Sequence, residues 1–495
     1  WSSDVCSSDL SAGFHDAAAA VSDQQGDILF AAHSERYSKI KNDPNLHANL
    51  LQKLSTYNPL TVAYYERPFW KSLRRLYNGE AVTFGDFGLA NTVNKHLQGS
   101  IKPKKIVSFG HHLSHAAAGF QTSPFSDATV VVIDAIGEWD TISVWSAKYI
   151  KEKAQYKKLW SIKYPHSIGL FYSAITKRCG LLPQEEEYIL MGMSAYGDDI
   201  VKNSLIKDFI FDLDATKFSY NFHLGIPNDY LDLVSNFDLA ASAQGVTEKL
   251  IRIVVKKASN YEISNNLVYA GGVALNCVAN RILGEYFNNI WIMPCPGDAG
   301  SSIGAAALAY GKKLNWHNAY LGHNIEGEYP VNKLLYCLLR EKIVGVASGP
   351  AEFGPRALGN RSLLADPRLP NIKDMVNAIK QRENFRPFAP VILEEYVHQY
   401  FKMPLGFGLS PYMQTTAICR DPKLFPAIVH IDGSSRVQTV AKDNSGIRLL
   451  LEAWHKATGC PMLLNTSLNI KGRPIVNDLL DAKEFEKLYN VTVCS

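Results

Sequence analysis

Apolar residues along the chain form short unbroken runs, which are typical of buried strands, and one longer repeat with helical spacing. The run from Ala128 to Ile133 ends directly in Asp134, as a buried strand does when it brings a carboxylate to the edge of a sheet. The same reasoning predicts further strands over 28–33, 267–270 and 342–347, and an amphipathic helix over 240–260.

Two histidines, His111 and His115, stand four residues apart before a run of alanines. Residues with this spacing share one face of a helix, so both imidazoles can reach a single ion. A pair of buried histidines satisfied by backbone carbonyls is the alternative. The nearby strand end at Asp134 favours a divalent first-row metal, since two imidazoles and a carboxylate form a known open ligand set. Asp298, in a predicted turn between a strand and a helix, is the expected fourth ligand.

Two glycine-containing turns predict a close approach of the backbone to a ligand. The first, over 13–16, contains His15 and precedes a small apolar run, so it marks the edge of an active site. The second, Gly271-Gly272, follows a predicted strand and precedes a helix whose first N–H groups can bind an anion.

Four separated stretches in the last third carry Arg, Lys or Asn beside rigid proline or glycine. Planar guanidinium groups suit bidentate binding of carboxylate or phosphate. The alternative is that these arginines are solvated on the surface. An arginine held between Gly-Pro and an apolar segment has less freedom to extend into solvent, which favours the binding role. The stretches are 354–362, 380–390, 435–439 and 464–469.

Lysines alternate with aromatic residues over 148–164. This pattern can bind phosphate and stack bases. It is more typical of the solvated edge of a β-hairpin, and the sequence leaves both interpretations open.

The length of 495 residues predicts two or more domains, and the formal net charge of +4 neither requires nor excludes an anionic partner. The eight cysteines are scattered without a C-x-x-C pair, which favours a reducing cytoplasm over a disulfide framework. No apolar run approaches the roughly 20 residues of a membrane helix. The first ten residues contain Ser-Ser-Asp twice, as an artificial segment would, so the fold prediction leaves them out. We expect a linker over 321–330.

Taken together, these motifs resemble the O-carbamoyltransferases of the nodulation-factor and antibiotic-tailoring type, in the family's order across nearly the whole chain. The resemblance implies an α/β fold with an actin-like, two-lobed N-terminal domain over 11–325, as in the enzymes that put threonylcarbamoyl on transfer RNA. It also implies a YrdC-like C-terminal α/β domain over 335–495. The matching motifs are GFHDA (13–17), HHLSHAA (111–117), GGVALN (271–276), GPRALGNRS (354–362), RPFAP (386–390) and LNTSLN (464–469).

The resemblance further implies a reaction and the residues that carry it. The C-terminal domain would form carbamoyl-adenylate from carbamoyl phosphate and ATP with Mg²⁺. The N-terminal domain would transfer the carbamoyl group to an acceptor hydroxyl, with His15 as the general base. The implied ligands of iron or another divalent metal are His111, His115, Asp134 and Asp298. The implied nucleotide contacts are Lys41, Gly271, Gly272 and Asn276, and the implied carbamoyl phosphate contacts are Arg356, Lys380, Arg386, Arg436 and Asn465.

Several functions stay open at this point. The acceptor is either hydroxymethylcytosine, in DNA or as a nucleotide, or a sugar or other natural product. An actin-like sugar kinase or ATPase, or a transfer-RNA-modifying enzyme of the threonylcarbamoyl type, would leave residues 335–495 without a role. A non-enzymatic metal-binding or nucleic-acid-binding protein would explain only the basic stretch. We expect small-molecule donors, no membrane and a cytoplasmic location, with a homodimer left open.

Overall fold

The computed structural model describes residues 5–13, 15–386 and 388–495. Phe14 and Pro387, which belong to two of the motifs above, lie outside the described residues. The described chain alternates strands and helices along its length, which makes it an α/β protein.

The first sheet has five strands, with an antiparallel three-stranded meander on one side and two parallel strands on the other. The predicted strand over 28–33 is confirmed. Residues 5–11 form the central strand of this sheet, so residues 5–10, which the fold prediction leaves out, belong to the fold. In spatial order the strands are Ile28–His33, Ala18–Asp23, Val5–Ser11, Thr61–Tyr64 and Lys105–Ser108.

The second sheet repeats this arrangement, again with a three-stranded antiparallel meander followed by two parallel strands. The predicted strands ending at Asp134 and over 267–270 are confirmed. Residues 148–164 belong to a long β-hairpin. In spatial order the strands are Lys153–Lys163, Asp140–Ile150, Asp127–Ile133, Asn266–Ala270 and Asn289–Trp291.

The third sheet is built from the last third of the chain and is mixed, with two parallel and three antiparallel neighbours. Its apolar side chains belong to a continuous core formed by residues between Ile325 and Cys494. In spatial order its strands are Gln438–Val440, Ala389–Leu393, Met462–Ser467, Arg361–Ala365, Ile343–Ala347 and Val493–Cys494.

Half of the segment expected to be a linker, 321–330, belongs to a strand. Tyr320–Ile325 pairs antiparallel with Gly349–Glu352, which follows a strand of the third sheet. The strand has little local signal because neither it nor its partner has a regular alternation of apolar and polar residues. The remaining short strands are Ile210–Asp212, Lys217–Phe218, Phe401–Lys402, Ala417–Cys419 and Ser434–Ser435.

Helices flank the sheets, and the predicted helix over 240–260 is confirmed as Asn236–Ser259. No helix among the described residues is long and apolar enough to cross a membrane. The other α-helices are Glu35–Ser38, Ala48–Ser55, Pro68–Tyr77, Leu89–Leu97, His111–Thr122, Ile168–Arg178, Glu187–Met193, Lys202–Phe209, Cys277–Asn280, Ser301–Tyr310, Val331–Glu341, Ile372–Lys380, Val397–Tyr400, Gly446–Thr458 and Leu479–Tyr489.

Two of these helices, His111–Thr122 and Ser301–Tyr310, pack against each other with very close backbones. A Cβ atom on Gly304 would stand only 1.9 Å from the carbonyl oxygen of Ser114. Such contact requires small residues at the interface, which explains the alanine and glycine runs in both helices. This packing brings the two histidines of the first helix beside the turn that precedes the second.

Candidate active site

The structure brings together the four residues predicted as metal ligands. His111 and His115 lie on one face of the helix His111–Thr122, as their spacing predicts. Asp134 directly follows a buried strand, and Asp298 opens the short turn before the helix Ser301–Tyr310. All four side chains are buried, and one potential ligand atom from each lies within 4.8 Å of the others.

The Nε2 atoms of the two histidines point at each other across 3.1 Å. His111 Nε2 lies 3.0 Å from Asp134 Oδ2 and 3.4 Å from Asp298 Oδ1. His115 Nε2 lies 3.2 Å from Asp298 Oδ1. Four potential ligand atoms therefore surround one small volume.

The outer atoms of these side chains are held by the rest of the protein. His115 Nδ1 lies 3.1 Å from the carbonyl oxygen of Pro296, which can only accept, so Nδ1 carries a proton and, in the neutral imidazole, the lone pair of Nε2 faces the cluster. Asp134 Oδ1 accepts a hydrogen bond of 2.9 Å from the backbone N–H of Gly272, which leaves Oδ2 to face the cluster. This is the orientation that ligands to a metal need.

The charges of the cluster are strongly coupled. Burial alone would raise the pKa of the Asp134 carboxyl, but hydrogen bonds from His111 and His115 outweigh burial and hold that pKa well below its ordinary value. Burial would lower the pKa of His111, but the charge of Asp298 and hydrogen bonds to both aspartates raise it well above its usual range. The two carboxylates thus require nearby positive charge, which protons on the imidazoles or a divalent cation can supply.

A cavity of about 410 Å³ adjoins the cluster. Its wall includes eleven of the fourteen predicted site residues, whereas His111, His115 and Gly271 lie behind the wall. The eleven are His15, Lys41, Asp134, Gly272, Asn276, Asp298, Arg356, Lys380, Arg386, Arg436 and Asn465.

The side of the cavity formed by the last third of the chain is strongly cationic. Burial, followed by repulsion from neighbouring cations, lowers the pKa of Lys380. The same two causes lower the pKa of Arg356 to about 9. Among the described residues, no carboxylate lies within ion-pair distance of Arg356, Lys380 or Arg436, whereas Arg386 pairs with Glu383 at 3.4 Å. A group of buried and partly buried cations with so little countercharge favours an anionic ligand.

Some predicted contact residues also hold the cavity wall together. Lys380 Nζ donates to the carbonyl oxygens of Ser467 and Asn469, at 2.5 and 2.8 Å, so it orders the loop that follows the strand Met462–Ser467. The Asn276 side chain accepts from the backbone N–H of Ala279, and its Nδ2 donates to Gln244. These two residues shape the site as well as lining it.

Gly271 and Gly272 allow the backbone to pass close to the cluster. Gly271 has a φ of 91°, and a Cβ there would lie 2.2 Å from the carbonyl oxygen of Ile133. Only glycine fits, because the turn passes directly over the end of the strand that delivers Asp134.

Two residues absent from the sequence-based site set also belong to this region. Glu66 is buried, and its Oε2 lies 3.9 Å from His111 Nδ1. It follows a short apolar strand, the same signal that identified Asp134. Arg382 lines the cavity between two predicted contacts, Lys380 and Arg386, and its guanidinium stands 4.0 Å from the ring centre of Phe388.

The basic and aromatic stretch forms the hairpin described above, and Lys158 within it has partners in the chain. Lys158 pairs with Asp140 and stands 4.9 Å from the ring centre of Trp145. Lys257, from a neighbouring helix, stands 4.2 Å from the ring centre of Trp160. These contacts favour the hairpin-edge interpretation over a nucleic-acid groove.

Comparison with known proteins agrees with this geometry. Residues 65–307 match the family model described as carbamoyltransferase N-terminus, and residues 336–493 match the one described as carbamoyltransferase C-terminus. The chain belongs to the carbamoyltransferase family. It is therefore a transferase.

The relatives include proteins of similar length. The uncharacterized protein sll1178 of Synechocystis is 33% identical, over 94% of this chain and 92% of its own length. Nodulation protein NolNO of Sinorhizobium fredii is 30% identical, over 96% of this carbamoyltransferase and 77% of its own length. Nodulation protein U of Bradyrhizobium diazoefficiens is 36% identical over 51% of this chain and 48% of its own length.

Solved structures give weaker matches. The activator of 2-hydroxyisocaproyl-CoA dehydratase from Clostridium difficile covers 61% of this carbamoyltransferase and 92% of its own chain, with a TM-score of 0.32 and 14% identity. Full-length HypF covers 62% of this chain and 56% of its own, with a TM-score of 0.35 and 15% identity.

Proposed function

We propose that this carbamoyltransferase is an ATP-dependent O-carbamoyltransferase with two linked reactions in one cavity. With one water molecule, carbamoyl phosphate and ATP would give carbamoyl-adenylate, phosphate and pyrophosphate. An acceptor alcohol would then take the carbamoyl group and release AMP and a proton. The observation that carries this proposal is that the His111/His115/Asp134/Asp298 cluster and the cationic wall border the same cavity.

The proposal divides the chain into an actin-like N-terminal domain over 11–325 and a YrdC-like domain over 335–495. The repeated strand order of the first two sheets supports an N-terminal domain of two related lobes. The separate core of the third sheet supports a second domain.

The cationic wall would bind both phosphorylated donors. Arg356, Arg386 and Arg436 would hold their phosphate oxygens and stabilise the charge that develops as pyrophosphate leaves. Lys41 and the N–H groups after Gly272 would contact the nucleotide. Lys380 and Asn465 would position the carbamoyl phosphate. Bound Mg²⁺ would offset part of the triphosphate charge.

The His111/His115/Asp134/Asp298 cluster fits a divalent ion such as Fe²⁺. Two imidazole Nε2 atoms 3.1 Å apart, beside two buried carboxylates, form a ligand set typical of such an ion once the imidazoles are neutral. When bound, the ion would polarise the carbamoyl carbonyl. His15, which lines the cavity, would take the proton from the acceptor hydroxyl.

The acceptor hydroxyl is expected on a sugar or another natural product, with hydroxymethylcytosine, in DNA or as a nucleotide, as the competing candidate. Lys158 of the hairpin already pairs with Asp140 and the ring of Trp145, which counts against a DNA contact at that lysine. A panel containing both classes, screened for the mass added by one carbamoyl group, would identify the acceptor.

The test of the donor reaction is pyrophosphate release from ATP with and without carbamoyl phosphate. We expect release only with both donors, and we expect Arg356→Ala to abolish it. His111→Ala should keep most of the pyrophosphate release but lose carbamoyl transfer, since the cluster and the cationic wall serve different steps. ADP formation without any need for carbamoyl phosphate would contradict the proposal and favour an actin-like kinase or ATPase.

A further inference from the structure

A single buried carboxylate organises the loop that carries Arg356. The Arg356 loop, residues 353–360, joins two strands. Its residues Pro355, Arg356 and Ala357 line the cavity. Glu352 ends the strand before the loop and is only 3% exposed, and it does not line the cavity. Any role of Glu352 at the site must therefore act through the loop.

One oxygen of the Glu352 carboxylate accepts three backbone N–H groups from the far end of the Arg356 loop. Glu352 Oε1 lies at 2.7, 2.9 and 3.2 Å from the backbone nitrogen atoms of Leu358, Asn360 and Arg361. The negative charge of the acceptor strengthens each of these bonds. The carboxylate thus ties the beginning of the loop to its end, with Arg356 in between.

The carbonyl groups of the loop are held by side chains from other parts of the chain. The carbonyl oxygen of Leu358 accepts from Tyr320 Oη at 3.0 Å and from Gln438 Nε2 at 2.9 Å. The carbonyl oxygen of Gly359 accepts from Tyr329 Oη at 2.8 Å. The loop is therefore fixed through its carbonyl groups as well as its N–H groups, and the buried carboxylate supplies the N–H side.

Arg356 depends on the loop backbone for its position. Among the residues that the structure describes, its guanidinium forms one hydrogen bond, from Nη2 to the carbonyl oxygen of Leu275 at 3.3 Å, and no ion pair. A guanidinium that binds phosphate through two parallel bonds has to be placed to within about 0.5 Å. Since the side chain has so few contacts of its own, the loop must supply this precision.

We propose that Glu352 is a positioning residue of the donor site, whose carboxylate holds the Arg356 loop in the conformation that presents Arg356 to a phosphate group of ATP. The inference rests on the proposed function, because it assumes that Arg356 binds phosphate. Side-chain length decides this role, since one oxygen must reach three N–H groups together. No described residue donates to the second oxygen, Oε2, so replacing that oxygen by an amino group breaks no hydrogen bond.

Two conservative variants separate the length of the side chain from its charge. Glu352→Asp keeps the buried charge, but its carboxylate is one methylene group short of the N–H groups. We expect it to bind ATP about tenfold more weakly. Glu352→Gln keeps the length and one accepting oxygen, so its ATP affinity should stay within about threefold of the wild-type value. Titration calorimetry of the full-length protein with ATP and Mg²⁺ measures both.

A double variant shows whether the effect passes through Arg356. Arg356→Ala by itself should weaken ATP binding. Adding Glu352→Asp to Arg356→Ala should weaken it further by less than about twofold, because substitutions that act on the same contact are not additive. A general loss of structure would instead lower ATP affinity by the same factor in both backgrounds.

Asp23→Ala is the matched control. Asp23 is also buried, and its Oδ1 accepts the backbone N–H groups of Gln25 and Asp27 at 2.9 Å, but it does not line the cavity. Denaturant unfolding should show a loss of stability in both Asp23→Ala and Glu352→Asp. ATP affinity should fall in Glu352→Asp and stay unchanged in Asp23→Ala.

The outcomes separate this inference from the proposed function. ATP affinity that is unchanged in Glu352→Asp, or that falls by the same factor with and without Arg356, would overturn the positioning role and leave the proposed function standing. An equally large loss in Glu352→Gln would also overturn it, because charge and not reach would then matter. If the wild-type protein binds no ATP, or if Arg356→Ala leaves ATP affinity unchanged, the proposed donor site is wrong and the inference is wrong with it.

Discussion

Lys41 and Arg386, from opposite ends of the chain, both stack against the ring of Tyr188. Lys41 Nζ lies 5.2 Å from the ring centre, and the guanidinium carbon of Arg386 lies 4.8 Å from it. Each cation is attracted to the π system of the ring. Tyr188 also lines the cavity, so it fixes two of the cations proposed to bind the donors.

Replacing Tyr188 by alanine should therefore weaken donor binding. We expect the KM for ATP and for carbamoyl phosphate in pyrophosphate release to rise about 5- to 30-fold, the value of one or two cation–π contacts. Tyr188→Phe is the control, because it keeps the aromatic ring and should change either KM little. A rise in KM for Tyr188→Phe as large as that for Tyr188→Ala would show that donor binding depends on the hydroxyl group and not on the ring.

Glu66 is expected to support metal binding through His111. Its Oε1 accepts from Lys71 at 2.5 Å, which leaves Oε2 facing His111 Nδ1 at 3.9 Å. A small shift on metal binding would turn this approach into a hydrogen bond that orients the imidazole. Glu66→Gln should lower metal affinity about 10-fold or more. Competition between the protein and a chelator for Fe²⁺ or Co²⁺ measures this directly.

Glu80 offers the comparison for this experiment, since it pairs with Arg75 away from the His111/His115/Asp134/Asp298 cluster. Glu80→Gln should leave metal affinity unchanged. Unaltered affinity in Glu66→Gln would mean that His111 is oriented without this carboxylate.

Gly304→Ala should disturb the packing that brings the histidines to Asp298. Because its new Cβ would lie 1.9 Å from Ser114 O, the helices must separate. We expect a loss of about 1–3 kcal/mol in the free energy of unfolding, together with weaker metal binding. Denaturant unfolding checks the first effect. Gly408→Ala is the control, since no atom lies within 4 Å of its added Cβ, and it should be close to neutral.

The buried side chain of His96 should lower the free energy of unfolding in acid. Burial, followed by repulsion from Lys71, lowers the pKa of His96 from 6.5 to about 4. Below pH 6.5 the unfolded chain therefore binds a proton that the folded chain does not, so stability falls as the pH drops from 6.5 to about 4 and this contribution then levels off. The full effect is about 3 kcal/mol.

Substitution isolates this contribution from other titrating groups. His96→Gln should lose less stability than the wild-type protein between pH 7 and pH 4, measured by denaturant unfolding at several pH values. Parallel curves of unfolding free energy against pH for the two proteins over that range would exclude His96 as the source of the loss of stability.

The local sequence pattern determined much of the secondary structure of this protein. Apolar runs predicted the strands that end at His33 and Asp134, because burial on both faces leaves no polar position within a strand. The four-residue spacing of His111 and His115 predicted a shared helix face, because helical geometry is set by the backbone. The irregular strand Tyr320–Ile325 was missed because its pairing with Gly349–Glu352, and not its own pattern, makes it a strand.

Only the tertiary structure decided which distant residues meet. Glu66 and Tyr188 carry no local signal of a partner, and their roles depend on contacts with His111 and Arg386 made by the packing of separate elements. Secondary structure follows from periodicities of two to four residues, which can be recognised within a short stretch of sequence. Orientation of a buried amide or spacing of cations around a ring depends on hydrogen bonds and packing between segments far apart in the chain, and these exist only once the whole fold has formed.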